Sequence, residues 1–304
     1  MRLLRVGDPG RERPCAIAPD NSARDLSAWV DDWSGGALDP TFLLAIEERL
    51  GREGPSLPSV DLSRERIGAP VQPSQILSIG LNYRKHAEAA GLALPSEPIV
   101  SGKSHLAISG PYDDLIIPPQ SLKTDWEVEL GVVIGRRTQY LSEPALAIEH
   151  VAGYCTANDI SERSWLLERG GQWIKGKSFE SFAPIGPYLV TTREITEPGK
   201  LRLTCHVNGR LMQDANTSDM VFDVPYLVYY LSRFMVLEPG DVVITGSPAG
   251  MALGRPDHPY LREGDVVEAE VCGLGAQRQR CRNFHAFPQN STIKSGRSKR
   301  SRVG

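Results

Sequence analysis

The stretch Asp125-Trp126-Glu127-Val128-Glu129-Leu130-Gly131-Val132-Val133-Ile134 reads as a β-strand. Apolar and β-branched residues dominate it, and Gly135-Arg136-Arg137 closes the run. Side chains alternate between the two faces of a strand, so Glu127 and Glu129 point one way while Val128 and Leu130 point the other. The two carboxylates are then roughly 7 Å apart at the backbone, and they repel unless something positive lies between them. A hard divalent cation answers that repulsion, because Mg²⁺, Mn²⁺ and Ca²⁺ prefer carboxylate oxygen. The plainer alternative is a solvated strand face with two exposed glutamates. The rest of the chain decides between them.

The 304 residues suffice for one large domain or two modest ones, and 40% hydrophobic with 23% charged residues is ordinary for a globular protein. A net charge of −3 gives no reason to expect nucleic acid or an anionic membrane as partner. No apolar run approaches the length of a membrane span, and Met1-Arg2-Leu3-Leu4-Arg5-Val6-Gly7 is too polar for a signal peptide. Cys15, Cys155, Cys205, Cys272 and Cys281 are scattered without C-x-x-C spacing. That pattern argues against a disulfide framework or zinc knuckle and suits a reducing, cytoplasmic setting. With 29 glycines and 23 prolines, the composition favours short strands and turns over a helical bundle.

Residues 1–65 form a leading α+β module. Strands are expected near Met1–Val6 and Cys15–Ala18, and Asp25 is expected to cap a short helix through Trp29. Asp39 and Pro40 open a better helix over Thr41–Leu50, with Gly51 as its stop. Residues 52–75 read as a linker. The main domain, 66–284, begins with the strand Ile76–Gly80 and a short helix over Ala87–Ala90, followed by a Gly102-Lys103 turn. Later strands are expected at Val151–Ala157, Tyr188–Val190, Arg202–Val207, Val242–Thr245 and Val266–Val271, with one strong helix over Val224–Phe234. The fold class is therefore mainly β with some α. From 285 to 304 the periodicity stops, and the basic tail reads as disordered.

A metal at Glu127 and Glu129 needs at least a third ligand. Asp159 is the best candidate, because it follows a strand where a loop can aim it. It could equally cap the Ser161 helix. In Lys175-Gly176-Lys177-Ser178, strand alternation would place Lys175 and Lys177 on one face, and a lysine near a metal neutralises an enolate or carboxylate. His86 is a candidate general base. Thr245-Gly246-Ser247-Pro248 follows an apolar strand and offers hydroxyls and N–H groups to a carboxylate, or is a plain turn. Nucleotide-loop, serine-hydrolase and zincin signatures are absent.

The order Gly80-Leu81-Asn82-Tyr83 with His86, Asp125 to Leu130, Asn158-Asp159, Trp173 to Ser178, Gln213 with Asn216, and Thr245 to Pro248 resembles the fumarylacetoacetate hydrolase family. The likeness covers residues 70–284, and Ser161-Glu162-Arg163 through Gln172-Trp173 looks closest to the bacterial branch that includes 2,4-diketo-3-deoxy-L-fuconate hydrolases. The resemblance implies a mixed β-roll, a cytoplasmic homodimer, and a Mg²⁺ or Mn²⁺ held by Glu127, Glu129 and Asp159. It implies catalysis by His86 and Lys177, and substrate contacts from Tyr83, Lys103, Gln172, Thr245 and Ser247. The implied substrate is a small 2-oxo or 2,4-dioxo acid, hydrolysed at a C–C bond through a metal-stabilised enolate.

The chain departs from the family pattern at one telling place. The usual glutamate three residues after the histidine is missing. The order is His86-Ala87-Glu88-Ala89, and residues two apart do not share a helix face. Glu88 is thus an altered partner for His86. Decarboxylation or isomerisation, which needs the enolate but no activated water, is the alternative reading. A catalytically silent metabolite-binding role is a further one. Ser101-Gly102 ahead of Lys103 and Ser247-Pro248-Ala249 are lesser departures.

Overall fold

The computed structural model describes residues 1–285, so all but the first residue of the expected tail lies outside the described residues. The architecture is mainly β. Val128–Ile134 is buried at every position because strands flank it on both sides: Val151–Asn158 and Val242–Ile244, each antiparallel to it. The expected single strand is in fact two. Thr124–Asp125 pairs with Ser161–Glu162, and the chain breaks at Trp126-Glu127. The cause is a side chain that displaces the ladder. The Glu127 N–H donates to Asn158 Oδ1 at 2.9 Å, while the Asp159 N–H donates to the Glu127 carbonyl at 2.9 Å.

From edge to edge the larger sheet runs Ser59–Val60, Ala23–Asp25, Arg13–Ile17, Arg2–Val6, Leu189–Thr191, Val151–Asn158, Val128–Ile134, Val242–Ile244, Ile76–Gly80 and Ile99–Lys103, with Ile67–Gly68 pairing onto Arg2–Val6. The contact between Val242–Ile244 and Ile76–Gly80 is parallel. A second sheet runs Arg210–Asn216, Arg202–Val207, Val266–Val271, Gly275–Asn283 and Leu115–Ile117. The two share one core, to which Leu130, Tyr154, Leu203 and Val267 all belong. Thr156 ties them by polar bonds as well: its hydroxyl donates to the Gly275 carbonyl at 2.7 Å, and its carbonyl accepts from Gln277 Nε2 at 2.8 Å.

Local expectations hold in part. Pro40–Glu53 is a helix capped by Asp39, with Leu43, Ile46 and Leu50 buried. It runs through Gly51, whose cost of about 1 kcal/mol in a helix is offset by the anchored leucines. It gives way to a 3-10 turn, Gly54–Ser56, where Pro55 has no N–H to continue the α-helical ladder. Asp25 ends a strand and caps no helix; it accepts from the Ser27 N–H at 2.8 Å in a turn, while the Leu26 N–H is drawn to the Pro14 carbonyl. Residues 52–75 carry the strands Ser59–Val60 and Ile67–Gly68, and Gly102-Lys103 lies within a strand. The helix expected over Val224–Phe234 spans Val224–Ser232.

Asp39 also holds Arg136, with Nε to Oδ2 at 2.7 Å. That bond, with capping, lowers its carboxyl from 3.8 to about 2. A group whose folded pKa is lowered stabilises above its unfolded pKa and loses that contribution as pH falls through the folded one. Asp39→Ala is expected to cost about 1 kcal/mol. In thermal melts across a pH series, the advantage of the wild type over Asp39→Asn should shrink from pH 3.8 down toward about 2. Because asparagine keeps the cap, an unchanged gap would separate the effect from the ionisation of Asp39.

Candidate metal centre and active site

Three carboxylates meet at the end of the central strands. Glu127 lies in the break before Val128–Ile134, Glu129 lies within that strand, and Asp159 follows the end of Val151–Asn158. All three are buried, and one oxygen from each lies within 4.8 Å of the others. The register produces this: Val128 pairs with Asn158, and Glu129 with Ala157. The spread of roughly 7 Å along the backbone closes because the side chains converge.

Three cations surround the triad. Asp159 Oδ1 accepts from Lys103 Nζ at 2.5 Å, and Oδ2 accepts from Ser78 Oγ at 2.6 Å and from Lys177 Nζ. Lys177 Nζ also donates to Glu127 Oε2 at 3.2 Å and to Ser161 Oγ at 3.0 Å. Arg163 Nη1 lies 2.5 Å from Glu127 Oε1, and its Nε donates to Asp125 Oδ2 at 2.9 Å. Among the described residues, no cationic side chain comes within 4 Å of Glu129. Its Oε2 accepts from the Gly246 N–H at 2.6 Å. Gly246 has φ +100, and a Cβ there would come 2.7 Å from the Asn82 Cβ, so the backbone can approach Glu129 only as glycine.

Burial and the like charges of Asp159 and Glu127 push the Glu129 carboxyl well above the usual range. Burial also opposes ionisation of Asp159, yet Lys103 and Lys177 overcome it and hold that carboxyl low. Burial lowers Lys103 to about 8, with Lys177 adding repulsion against the pull of Asp159. For Lys177 the same burial is outweighed by Asp159, Glu127 and Glu129, which keep it protonated.

This donor set fits a hard divalent cation. It offers three carboxylates, and Glu129, which has no cationic partner among the described residues, is the one whose ionisation a bound ion would favour. The Tyr83 hydroxyl, whose own ionisation is opposed by burial and by the charge of Glu129, has no hydrogen-bond partner among the described residues. Oxygen-only ligation suits Mg²⁺ or Mn²⁺.

The triad opens into a cavity of about 260 Å³ whose floor includes Glu127, Glu129, Lys177, Arg163, His86 and Ser247. His86 lies in the helix Arg84–Ala89, and its Nδ1 is 3.0 Å from the Ser247 carbonyl. A carbonyl only accepts, so Nδ1 carries the proton and Nε2 is the free base. Burial lowers the His86 pKa below 6.5, so the ring is neutral at neutral pH. Glu88 is exposed, and the Ser247 carbonyl, not a carboxylate, orients the imidazole.

The structure thus brings together Glu127, Glu129, Asp159, Lys177, His86 and Ser247. It places the other expected contacts elsewhere. Lys103 is fully buried behind Asp159, with its remaining bond to the Ile160 carbonyl at 3.0 Å; it grips a ligand and is turned away from the cavity. The Thr245 hydroxyl is spent on the Leu130 carbonyl at 3.0 Å. Gln172 is exposed and Tyr83 is buried beside Glu129. Neither lines the cavity. Lys177 belongs to a one-turn helix, Ile174–Lys177, where a strand was expected, so Lys175 is exposed while Lys177 turns inward. Arg163, Ser78 and Trp173 were missed. Arg163 sits in the segment whose likeness was noted, and the strand alternation of Ile76–Gly80 could have pointed to Ser78.

Residues 75–282 match the family described as fumarylacetoacetate (FAA) hydrolase C-terminal. Over 281 residues the chain is 47% identical to a Burkholderia multivorans protein named only as a hydrolase, covering 92% of this chain and 98% of that one. Among solved structures it resembles the fumarylacetoacetate hydrolase of Exiguobacterium antarcticum at 28% identity and TM-score 0.79, over 93% of this chain and 100% of that one. It also resembles a 5-carboxymethyl-2-hydroxymuconate delta-isomerase from Mycobacterium smegmatis at 29% identity and TM-score 0.74, over 94% and 100%. The buried acid triad, its lysine and the mainly β fold are therefore those of a family member: the chain belongs to the fumarylacetoacetate hydrolase family.

Proposed function

We propose that the protein is a Mg²⁺- or Mn²⁺-dependent hydrolase that cleaves a C–C bond in a 2,4-dioxo acid and releases pyruvate. The observation that carries this is the convergence of three buried carboxylates with Lys177, where Glu127, Glu129 and Lys177 line the cavity and Asp159 lies behind them. Glu127, Glu129 and Asp159 would hold the ion. Once bound, it supplies Lewis-acid polarisation of the substrate oxygens.

The chain's own residues do the rest. His86 Nε2 accepts a proton from water as its oxygen attacks the 4-oxo carbon. The C3–C4 bond breaks and leaves its electron pair on the pyruvate enolate. Lys177 Nζ, held protonated by three carboxylates, faces the charge that develops. His86 returns the proton to C3. The apolar upper wall of the cavity keeps bulk water from the enolate.

A specific observation favours a second reading. A carbonyl partner orients His86 but lends the imidazolium no counter-charge, and Glu88 is exposed. A decarboxylase or keto–enol isomerase needs the same enolate without an activated water. The solved isomerase relative is in line with that.

Glu127→Ala and Asp159→Ala are each expected to abolish calorimetric Mg²⁺ binding and to lower acylpyruvate turnover at least ~10²-fold. Intact binding and turnover in both would reject the proposal. Because His86 acts as a neutral base with a pKa lowered by burial, kcat/KM should be flat through neutral pH and fall only on the acid side of 6.5; a profile that already falls above 6.5 would remove a buried neutral His86 from the role. Ala89→Glu combined with Glu88→Ala restores the family order, and general acid–base help is worth about 10² to 10⁴ in rate. A clear gain in pyruvate release supports the second reading, and no gain counts against it.

A further inference from the structure

The cavity has two chemically distinct halves. Its floor carries the charged groups already described. Above it the wall is apolar, with Ile79, Leu166, Trp173 and Met251 deepest. The six-membered ring of Trp173 packs against Gly80, where a Cβ would come within 2.4 Å of Cζ3; only glycine leaves room for the indole. At the mouth stand Leu92, Ile99, Leu167 and Leu253, exposed by 55%, 38%, 48% and 37%. They come from four separate segments, so the collar is not one stray apolar face. Large apolar side chains gathered at a cavity mouth mark a ligand-binding surface.

The positive groups, in contrast, are confined to the floor and already engaged. Arg163 spends Nε on Asp125, Nη1 on Glu127 and Nη2 on Met251 Sδ at 3.3 Å. Lys177 is shared between Glu127 and Asp159. Among the described residues, no other lysine, arginine or histidine beyond these and His86 lines the cavity. An anion at the far end of a substrate would give up part of its hydration against leucines and isoleucine and find no cation among the described lining residues in return, which is unfavourable. The volume of about 260 Å³ is the room of roughly nine water molecules at ~30 Å³ each. An oxo-acid head of six heavy atoms fills roughly half of it, so a longer tail takes up the remaining space and continues along the collar.

We propose that this site selects oxo acids whose far end is an uncharged alkyl chain or ring and rejects those that carry a second carboxylate there. The inference rests on the assignment of the floor to the oxo-acid head. Leu92, Ile99, Leu167 and Leu253 are the specificity-determining residues, and Trp173 is the flat wall on which the tail begins.

The test is calorimetric binding of three 2-oxo acids to the full chain in Mg²⁺: pyruvate, 2-oxooctanoate and 2-oxooctanedioate. Each buried methylene is worth about fourfold in affinity. 2-Oxooctanoate is expected to bind at least ~10-fold tighter than either of the others. Equal affinity for 2-oxooctanoate and 2-oxooctanedioate overturns the proposal, as does preference for the diacid. Absence of binding by all three overturns both this inference and the head-group assignment beneath it. In Leu92→Lys and Leu167→Lys, both at exposed positions, the ratio between the two long acids should narrow about tenfold. A ratio unchanged in both variants removes the collar from the role, and because it is taken within each variant, a loss of folded protein cancels. Release of pyruvate from the matching 2,4-dioxo acids is read separately. Tail preference without pyruvate release upholds this inference and rejects the hydrolytic reading; pyruvate release with equal affinities does the reverse.

Discussion

The repulsion among three buried carboxylates is the constraint around which the rest of the structure is arranged. Each is expensive to ionise away from water, and each is answered differently. Asp159 is gripped from two sides by Lys103 and Lys177. Glu127 is shared between Lys177 and Arg163. Among the described residues Glu129 has only a backbone N–H. That inequality gives the centre its character, for two carboxylates are neutralised by the protein and one is not. In the proposed metal centre, removing Lys103 would disturb ion affinity through Asp159, since Lys103 does not line the cavity.

The sheet delivers these groups from distant parts of the chain. Ser78 and Lys103 come from neighbouring strands at one edge, Glu129 from the centre, and Asp159 from the strand beyond. Arg163 reaches further, since its partner Asp125 also accepts the N–H groups of Ala252 and Leu253. The loop that supplies part of the cavity mouth is thus fastened to the same ion-pair network as Glu127. Packing, charge and cavity shape are coupled there, so substitutions at Asp125 or Arg163 should not behave additively with changes in the triad.

Much of this was legible in the sequence, for physical reasons that differ by residue. Glu127 and Glu129 stood out because period-two alternation is a local property. Asp159 stood out because it follows a clear apolar run. The family resemblance named Lys177 and His86, although the strand read over Lys175 and Lys177 is a single helical turn. What stayed hidden was tertiary. Whether Lys103 faces the cavity or backs a ligand depends on which strand pairs with Ile76–Gly80. That the Ser247 carbonyl replaces a missing glutamate depends on a contact spanning 161 residues. The break at Trp126-Glu127 arises from an asparagine side chain 31 residues away, a distance over which no periodicity carries information. Gly51 failed as a helix stop because buried leucines outweigh a weak intrinsic penalty.

The parallel pairing of Ile76–Gly80 with Val242–Ile244 bears on how the protein is made. Gln75 and Asp241, which close that ladder, are 166 residues apart in sequence. At about 5 to 20 residues per second of synthesis, the earlier strand waits on the order of ten to thirty seconds on the ribosome before its partner exists. During that interval it can pair on one side with Ile99–Lys103, while its other edge stays open and apolar. Such an edge invites intermolecular pairing. The half-built sheet, more than the finished one, is accordingly where aggregation competes with folding.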